Sequence, residues 1–314
     1  MDMTMPLRRI GSLEVSAVGL GCNNFGGRID EEATAAVVGA CLDAGINFFD
    51  TADTYGGTKS EEFLGRALGK RRSEVVIATK FGSKLDEERK GAAPAYVKRA
   101  LEDSLRRLGT DYVDLYQLHR PDPETPVADT LEALAGAVRE GKVREIGCSN
   151  FSVAQLQEAE AAAADGLPRF VSVQNEYSLL ERAPETGVLA ECARQRIAFI
   201  PYFPLKSGLL SGKYRRGAAP PPGTRLAGMP AERQELLLSD ETMDAVEALE
   251  RYAEKRGRTI LELAIAWLLA KPAVSSVIAG ATKPEQVLAN AKAAAWSLEA
   301  SEVAEVDEVA PAPA

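Results

Sequence analysis

Four side chains able to hold or move a proton come at or just beyond the ends of three successive strand-like segments. Asp50 and Tyr55 follow the first segment, and Lys80 ends the second. His119, the only histidine of the chain, follows the third. Parallel strands present their carboxyl ends at one edge of a sheet, with neighbours about 4.8 Å apart, so these side chains can converge.

Their types suit proton transfer to an oxygen atom. Tyrosine has an ordinary pKa of about 10, and a nearby ammonium group such as Lys80 favours the phenolate, so we expect Lys80 to lower the pKa of Tyr55. Asp50 supplies the anion that such a lysine needs. His119 can hydrogen-bond a carbonyl oxygen and orient it toward Tyr55. The set suits carbonyl reduction, provided that a hydride donor lies above it.

The other strand ends offer side chains that could hold such a donor. Ser149, Asn150 and Gln174 could bind a carboxamide, and Tyr202 offers an aromatic face for stacking. After the last strand, Thr282 and Glu285 have the spacing of a capping box, and the helix start that it predicts is a natural seat for phosphate. Each of these could also be purely structural.

The order of the elements predicts one α/β domain over residues 1–314, a closed (β/α)8 TIM barrel. Eight apolar strand segments are each followed by helix, and a two-residue turn at Gly11 and Ser12 predicts an N-terminal β-hairpin. The predicted strands are 17–20, 47–50, 75–80, 113–118, 143–147, 170–174, 197–202 and 274–278. A doubly wound open sheet is disfavoured, because the third glycine of its dinucleotide fingerprint is missing after Gly19 and Gly21. Residues 205–239 read as a long loop after strand 7, and 310–314 as a frayed tail.

Composition narrows the class of protein. The net charge of −9 argues against nucleic acid or an anionic membrane as the main partner. The N-terminus lacks the apolar core of a signal peptide. Four dispersed cysteines and one histidine argue against a metal site and fit free thiols in the cytoplasm.

Seven motifs, in order along nearly the whole chain, resemble the aldo-keto reductase family, in a bacterial-type form with a short C-terminal tail. The motifs are Asp50–Gly56, Thr79–Lys80, Leu118–Pro123, Gly147–Asn150, Gln174–Leu180, Tyr202–Leu205 with Gly208–Lys213, and Gly280–Gln286. The resemblance implies a catalytic tetrad of Asp50, Tyr55, Lys80 and His119. It also implies NADPH bound in an extended form without a Rossmann fold.

By the same resemblance, further residues are expected to bind the cofactor and the substrate. The expected cofactor-binding residues are Gly21, Cys22, Ser149, Asn150, Gln174, Tyr202, Pro204, Leu205, Gly208, Lys213, Gly280, Thr282, Lys283, Gln286 and Asn290. The expected substrate-binding residues are Asn23, Phe25, Phe81 and Arg120.

Three positions depart from the family pattern. Phe203 stands where the family has a serine, and Lys283 is the obvious cation near a region where many members carry arginine for a 2′-phosphate. NADPH is therefore expected, with NADH as an alternative. Arg120 replaces a tryptophan found in several members, which suggests either a polar or anionic substrate or a salt bridge.

The sequence thus predicts an NADPH-dependent reductase of aldehydes or ketones. One alternative is an NAD(P)-dependent dehydrogenase that oxidises a sugar or alcohol. Another, of a different class, is a cofactor-binding sensor or regulatory subunit. The expected partner is a small carbonyl or alcohol molecule, and the oligomeric state is left open.

Overall fold

Eight parallel strands close into a barrel around one axis. The computed structural model describes residues 5–164 and 166–311. An antiparallel hairpin comes first, β1 Leu7–Ile10 and β2 Leu13–Ser16. The barrel strands are β3 Val18–Gly21, β4 Phe48–Asp50, β5 Val76–Phe81, β6 Val113–Leu118, β7 Val143–Ser149, β8 Ser172–Glu176, β9 Ala198–Tyr202 and β10 Val277–Gly280. They follow the order β10-β3-β4-β5-β6-β7-β8-β9, and this confirms the predicted TIM barrel.

Backbone hydrogen bonds at Phe199 close the ring between β9 and the approach to β10. Its N–H donates to the Ala273 carbonyl at 2.7 Å, and its carbonyl accepts from the Ser275 N–H at 3.0 Å. The hairpin plugs the opposite end, because Ile10 and Leu13 pack among interior side chains of the barrel. The end formed by the strands' C-termini is therefore the open one.

Helices cover the outside of the barrel. They are α1 Glu31–Asp43, α2 Lys59–Leu68, α3 Pro94–Leu108, α4 Val127–Arg139, α5 Val153–Ala163, α6 Val188–Gln195, α7 Ala231–Leu237, α8 Asp240–Glu254, α9 Ile260–Leu269, α10 Pro284–Ala293 and α11 Ala300–Val309. The strands read as apolar runs because both faces of each are buried. No helix in the described part of the chain is long and apolar enough to cross a membrane.

The structure departs from the sequence prediction in the last third of the chain. The segment 205–239 is not all loop, since it contains α7 and two short 3-10 turns. The last barrel strand lies at Val277–Gly280 rather than 274–278, because its register is fixed by pairing with β3. Helix α11 was not predicted, since its capping box uses Glu299 rather than a serine or threonine.

The predicted frayed tail is wrong at its first residue. Ala310 is buried, its N–H donates to the Val306 carbonyl, and its own carbonyl accepts a hydrogen bond from the Arg182 guanidinium at 3.1 Å. Residues 312–314 lie outside the described part of the chain. The end of α11 is therefore anchored against the barrel.

A group of polar side chains is buried outside the barrel wall, under α2 and α3. Glu61 accepts hydrogen bonds from Thr79 and from Arg107, whose Nε lies 2.6 Å away. Asp53 is 1% exposed, and neither of its carboxyl oxygens has a partner in the described chain. Burial and the neighbouring Glu61 raise the pKa of Asp53 to about 7. Asp53 therefore holds a proton in the folded protein at mildly acidic pH.

We expect Asp53→Asn to stabilise the protein at pH 8 more than at pH 5. Between about pH 4 and 7 the folded chain keeps a proton that the unfolded chain has released, so wild-type stability falls as pH rises. At about 1.4 kcal/mol per pH unit, the wild type loses up to about 3 kcal/mol from pH 5 to 8, a loss that the amide variant escapes. Denaturant unfolding at both pH values measures this. The exposed Asp111→Asn is the control, and an equal effect of Asp53→Asn at both pH values would contradict the assignment.

Two helical glycines give a matched pair for testing the packing of α2 on α3. A Cβ on Gly65 would lie 2.3 Å from the Leu108 carbonyl oxygen, whereas a Cβ on Gly39 in α1 meets nothing within 4 Å. We expect Gly65→Ala to cost about 1–3 kcal/mol of unfolding free energy through overpacking. Gly39→Ala should gain about 0.5–1 kcal/mol from helix propensity. Equal shifts in the denaturation midpoint would show that α2 has room to move.

Candidate active site

A buried ion pair lies at the open end of the barrel interior. Lys80 on β5 is fully buried, and its Nζ lies 2.6 Å from Asp50 Oδ2 at the end of β4. The same ammonium donates to the Thr51 carbonyl at 2.9 Å. Removing either partner would leave an uncompensated charge inside the barrel, which is far more costly than keeping the pair.

The second carboxyl oxygen of Asp50 is also occupied. Gln117 and Gln174 donate their amide N–H groups to Asp50 Oδ1 at 3.2 and 2.8 Å. Gln174, predicted to bind a cofactor carboxamide, donates its amide nitrogen to Asp50 and also lines the cavity described below. Gln117 was missed, although it precedes His119 by two residues and so lies on the same face of β6.

The Tyr55 hydroxyl completes the group. Lys80 Nζ lies 3.2 Å from the phenolic oxygen, and the Tyr55 and His119 ring centroids are 5.8 Å apart with nearly perpendicular planes. Burial raises the pKa of Tyr55, and Asp50 offsets part of the opposing effect of Lys80. Lys80 acts in the predicted direction, but burial outweighs it, so the predicted net lowering of the pKa of Tyr55 is wrong. Tyr55 carries its proton at neutral pH.

His119 is a neutral imidazole in this setting. Burial, Lys80 and Arg120 together lower its pKa to about 3. Its Nδ1 is buried without a hydrogen-bond partner in the described chain, and the ring lines the open cavity. A neutral imidazole has one N–H, so His119 can donate a hydrogen bond without supplying a proton.

A cavity of about 750 Å³ opens above these residues. Asp50, Tyr55 and His119 line it, while Lys80 lies behind Tyr55. Most of the predicted cofactor-binding residues line it too: Gly21, Ser149, Asn150, Gln174, Tyr202, Pro204, Leu205, Gly208, Lys213, Gly280, Thr282, Lys283, Gln286 and Asn290. Of the predicted substrate-binding residues, Asn23 and Arg120 line it.

Three predicted contacts do not reach the cavity. Phe81 is fully buried and stacks on Tyr116 at 4.6 Å, because strand alternation directs it away from the face that carries Lys80. Phe25 and Cys22 are fully buried in the core formed with the helices. The side chains at these three positions pack in the interior and do not line the cavity.

Asn150 holds three strand ends together. Its side-chain nitrogen donates to the His119 carbonyl at 3.0 Å and to Ser149 Oγ at 3.1 Å, and its oxygen accepts from the Tyr202 hydroxyl at 2.8 Å. Ser149 Oγ in turn donates to the Gln174 carbonyl. Ser149 and Asn150 therefore fix the positions of His119 and of the Tyr202 ring in the wall of the cavity.

The start of α10 differs from the predicted capping box. Lys283, not Thr282, is the N-cap, and no side chain caps the helix. Gln286 Oε1 instead accepts from the Thr282 N–H at 2.8 Å, so Glu285 makes no reciprocal bond. The first turn of α10 thus faces the cavity without a side-chain cap, and Lys283 and Glu285 both line the cavity there.

Five cationic side chains line the cavity, and none makes an ion pair within the described chain. They are Arg28, Arg120, Lys213, Arg225 and Lys283. Burial and the nearby charges of Arg28 and Arg225 lower the pKa of Lys213. Crowded cations without acidic partners are typical of a site for an anionic ligand.

Sequence reasoning missed Arg28 and Arg225, which bring the 205–239 segment onto the loop after β3. Arg225 donates to the side-chain oxygens of Asn23 and Asn24, and Arg28 donates to the Gly223 carbonyl at 2.8 Å. No periodicity marks either arginine. Arg225 lies within the long loop predicted over residues 205–239.

The turn after β9 is held in place by an ion network. Phe203, Lys206 and Ser207 have positive φ angles, and Lys206 Nζ lies 2.8 Å from Glu176 and 2.9 Å from Glu181. Backbone of this kind is strained for residues other than glycine and persists where its surroundings fix it. The network thereby sets the position of Pro204, Leu205 and the residues after them along the cavity.

Comparison with known proteins gives the same family from end to end. The aldo/keto reductase family profile matches residues 17–311. The chain is 37% identical over 275 residues to a probable voltage-gated potassium channel subunit beta of Oryza sativa subsp. japonica, covering 86% of this chain and 84% of that protein. It is 35% identical to the aldo-keto reductase yakc [NADP(+)] of Schizosaccharomyces pombe, covering 86% of this chain and 81% of that protein.

Solved structures agree. The glycerol dehydrogenase AKR11B4 from Gluconobacter oxydans superimposes with a TM-score of 0.85 at 31% identity, covering 99% of this chain and 98% of that one. With the profile match across nearly all of its length, the chain belongs to the aldo/keto reductase family, whose members include oxidoreductases that use nicotinamide cofactors.

Proposed function

We propose that the protein is an NADPH-dependent reductase of aldehydes or ketones, with Tyr55 as the proton donor. One observation carries the proposal. A protonated tyrosine lies at the floor of an open cavity, with its hydroxyl 3.2 Å from a buried ammonium and its ring beside a neutral histidine. Family membership and the NADP(+) label of the yakc relative support the choice of cofactor.

The residues around the cavity fit a dinucleotide phosphate. Arg28, Lys213 and Arg225 offer cations for a pyrophosphate on one side of the mouth. Lys283 and the uncapped start of α10 offer a cation and a helix N-terminus for a 2′-phosphate. Tyr202, whose hydroxyl is tied to Asn150, offers a fixed ring for the nicotinamide.

The chain's own groups carry the proton chemistry. NADPH, when bound, supplies the hydride to the carbonyl carbon. The His119 N–H donates a hydrogen bond to the carbonyl oxygen and orients it. As negative charge develops on that oxygen, the Tyr55 O–H bond breaks and its proton passes to the oxygen. Lys80 stabilises the phenolate that remains, and Asp50 keeps the lysine charged and in place.

The reverse reaction is the second candidate. The structural similarity to a protein named as a glycerol dehydrogenase favours alcohol oxidation by the same residues. In that direction Tyr55 must first lose its proton, and its raised pKa makes this harder at neutral pH. A regulatory role, as the potassium-channel subunit name of one relative suggests for that protein, needs the cofactor site but not the tetrad. The close Asp50, Lys80 and Tyr55 geometry favours turnover.

Tyr55→Phe tests the proton-donor role. We expect kcat for aldehyde reduction to fall by about 10²–10⁴, because general acid catalysis contributes that much. NADPH affinity, measured by fluorescence titration, should stay within a few-fold of wild type. Tyr112→Phe, which removes a hydroxyl outside the cavity, is the matched control and should reduce at the wild-type rate. A Tyr55→Phe protein with full activity would rule out this role.

Lys283→Ala tests whether the start of α10 binds the 2′-phosphate that distinguishes NADPH from NADH. We expect the Kd for NADPH to rise about 10- to 100-fold, since a charge-assisted hydrogen bond contributes about 1.5–3 kcal/mol. The Kd for NADH should change far less, because NADH lacks the 2′-phosphate. Lys292→Ala, on the same helix but away from the cavity, should change neither. Equal losses for both cofactors would show that Lys283 does not contact that phosphate.

A further inference from the structure

The five cations of the cavity are unevenly placed around the barrel. Arg28 follows β3, Lys213 and Arg225 follow β9, and Lys283 follows β10. Four of the five cations therefore lie in the segments that follow three adjacent strands of the ring. Arg120 follows β6, which is three strands away from both β3 and β9 in the ring. A second positive centre therefore lies across the mouth from the first.

Arg120 has no internal partner. Its side chain makes no ion pair or hydrogen bond with any residue in 5–164 or 166–311, so the salt bridge considered from the sequence is absent there. The nearest acid along the chain, Asp122, is occupied by the Ala92 and Glu124 N–H groups and by the Thr125 hydroxyl. Arg120 is also exposed, so its guanidinium is free to meet a ligand.

This charge lies next to the reacting groups. Arg120 is adjacent in sequence to His119, and both line the cavity that Tyr55 shares. Together with burial and Lys80, the charge of Arg120 lowers the pKa of His119 to about 3. Phosphates held near β9, β10 and β3 would leave Arg120 to the part of the cavity that the substrate occupies.

We propose that the substrates are aldehydes or ketones that also carry a carboxylate or similar oxyanion, and that Arg120 binds this anion. The inference rests on the proposed reductase function. A guanidinium presents paired N–H donors that match the two oxygens of a carboxylate, so it both attracts the anion and fixes its direction. With the anion at Arg120, the carbonyl group of the same molecule comes within the range of His119 and Tyr55.

The test compares benzaldehyde with 2-, 3- and 4-carboxybenzaldehyde at low ionic strength. We expect the wild type to show a higher kcat/KM for at least one carboxylate isomer than for benzaldehyde. In Arg120→Gln the ratio of kcat/KM for that isomer to kcat/KM for benzaldehyde should fall about 10- to 100-fold, mainly through KM, because a charge-assisted hydrogen bond is lost. Arg120→Lys keeps the charge but not the paired donors, so its ratio should lie between those of the wild type and Arg120→Gln.

Two further measurements separate binding of an anion from a general change in charge or fold. Arg9→Gln removes the same charge from the hairpin at the other end of the barrel and should leave the ratio at its wild-type value. Binding of benzoate to the protein with NADP+, measured by calorimetry, needs no turnover. Its Kd should rise about tenfold or more in Arg120→Gln and not in Arg9→Gln.

The outcomes distinguish the two proposals. The anion site alone would be overturned if the wild type reduces benzaldehyde but Arg120→Gln changes neither the ratio of kcat/KM for carboxybenzaldehyde to that for benzaldehyde nor the Kd of benzoate. A wild type that oxidises NADPH with none of the four aldehydes would overturn the reductase function and the substrate class with it.

Discussion

The buried pair of Lys80 and Asp50 is the constraint on which the site depends. A charge with no exposure must have its hydrogen-bonding capacity filled by protein groups, and here three other strands supply them. The Asp50 carboxylate at the end of β4 accepts from β5, β6 and β8, through Lys80, Gln117 and Gln174. Through Gln117 and Gln174, Asp50 thus links β4 to β6 and β8, which are not its neighbours in the sheet, across the inside of the barrel.

Burial, with a contribution from the same pair, sets the protonation of the cavity floor. Burial outweighs the opposing effect of Lys80, so the Tyr55 phenol keeps its proton. Burial together with the charges of Lys80 and Arg120 keeps His119 neutral. A protonated phenol beside a neutral imidazole is a donor set for an oxygen that gains electrons. The apolar plug of the hairpin at the far end leaves the mouth as the route to this floor.

The fold and the convergence of the four polar residues were accessible from the sequence, because strand ends in a parallel barrel share one face. The hydrogen-bond partner of each side chain was not accessible from the sequence, since it depends on which of several neighbours comes within about 3 Å. Gln174 and Asn150 are polar strand-end residues, as expected, yet their amide nitrogens are directed to Asp50 and His119. Phe81 could have been excluded, because alternation along β5 directs it opposite to Lys80. Arg28 and Arg225 lie in loops, where no period indicates which way a side chain faces.

The separation of the two positive centres has a kinetic consequence. Beyond about one Debye length, roughly 8–10 Å in physiological salt, screening removes most of the attraction to these cations, and the net charge of −9 of the whole chain adds none. Inside that distance the four cations near β9, β10 and β3 outweigh the single one near β6. A ligand whose two ends carry different negative charge is therefore favoured with its more highly charged end toward β9, β10 and β3 within the last few ångströms of approach. The basic groups of this cavity determine the orientation of encounter more than its frequency.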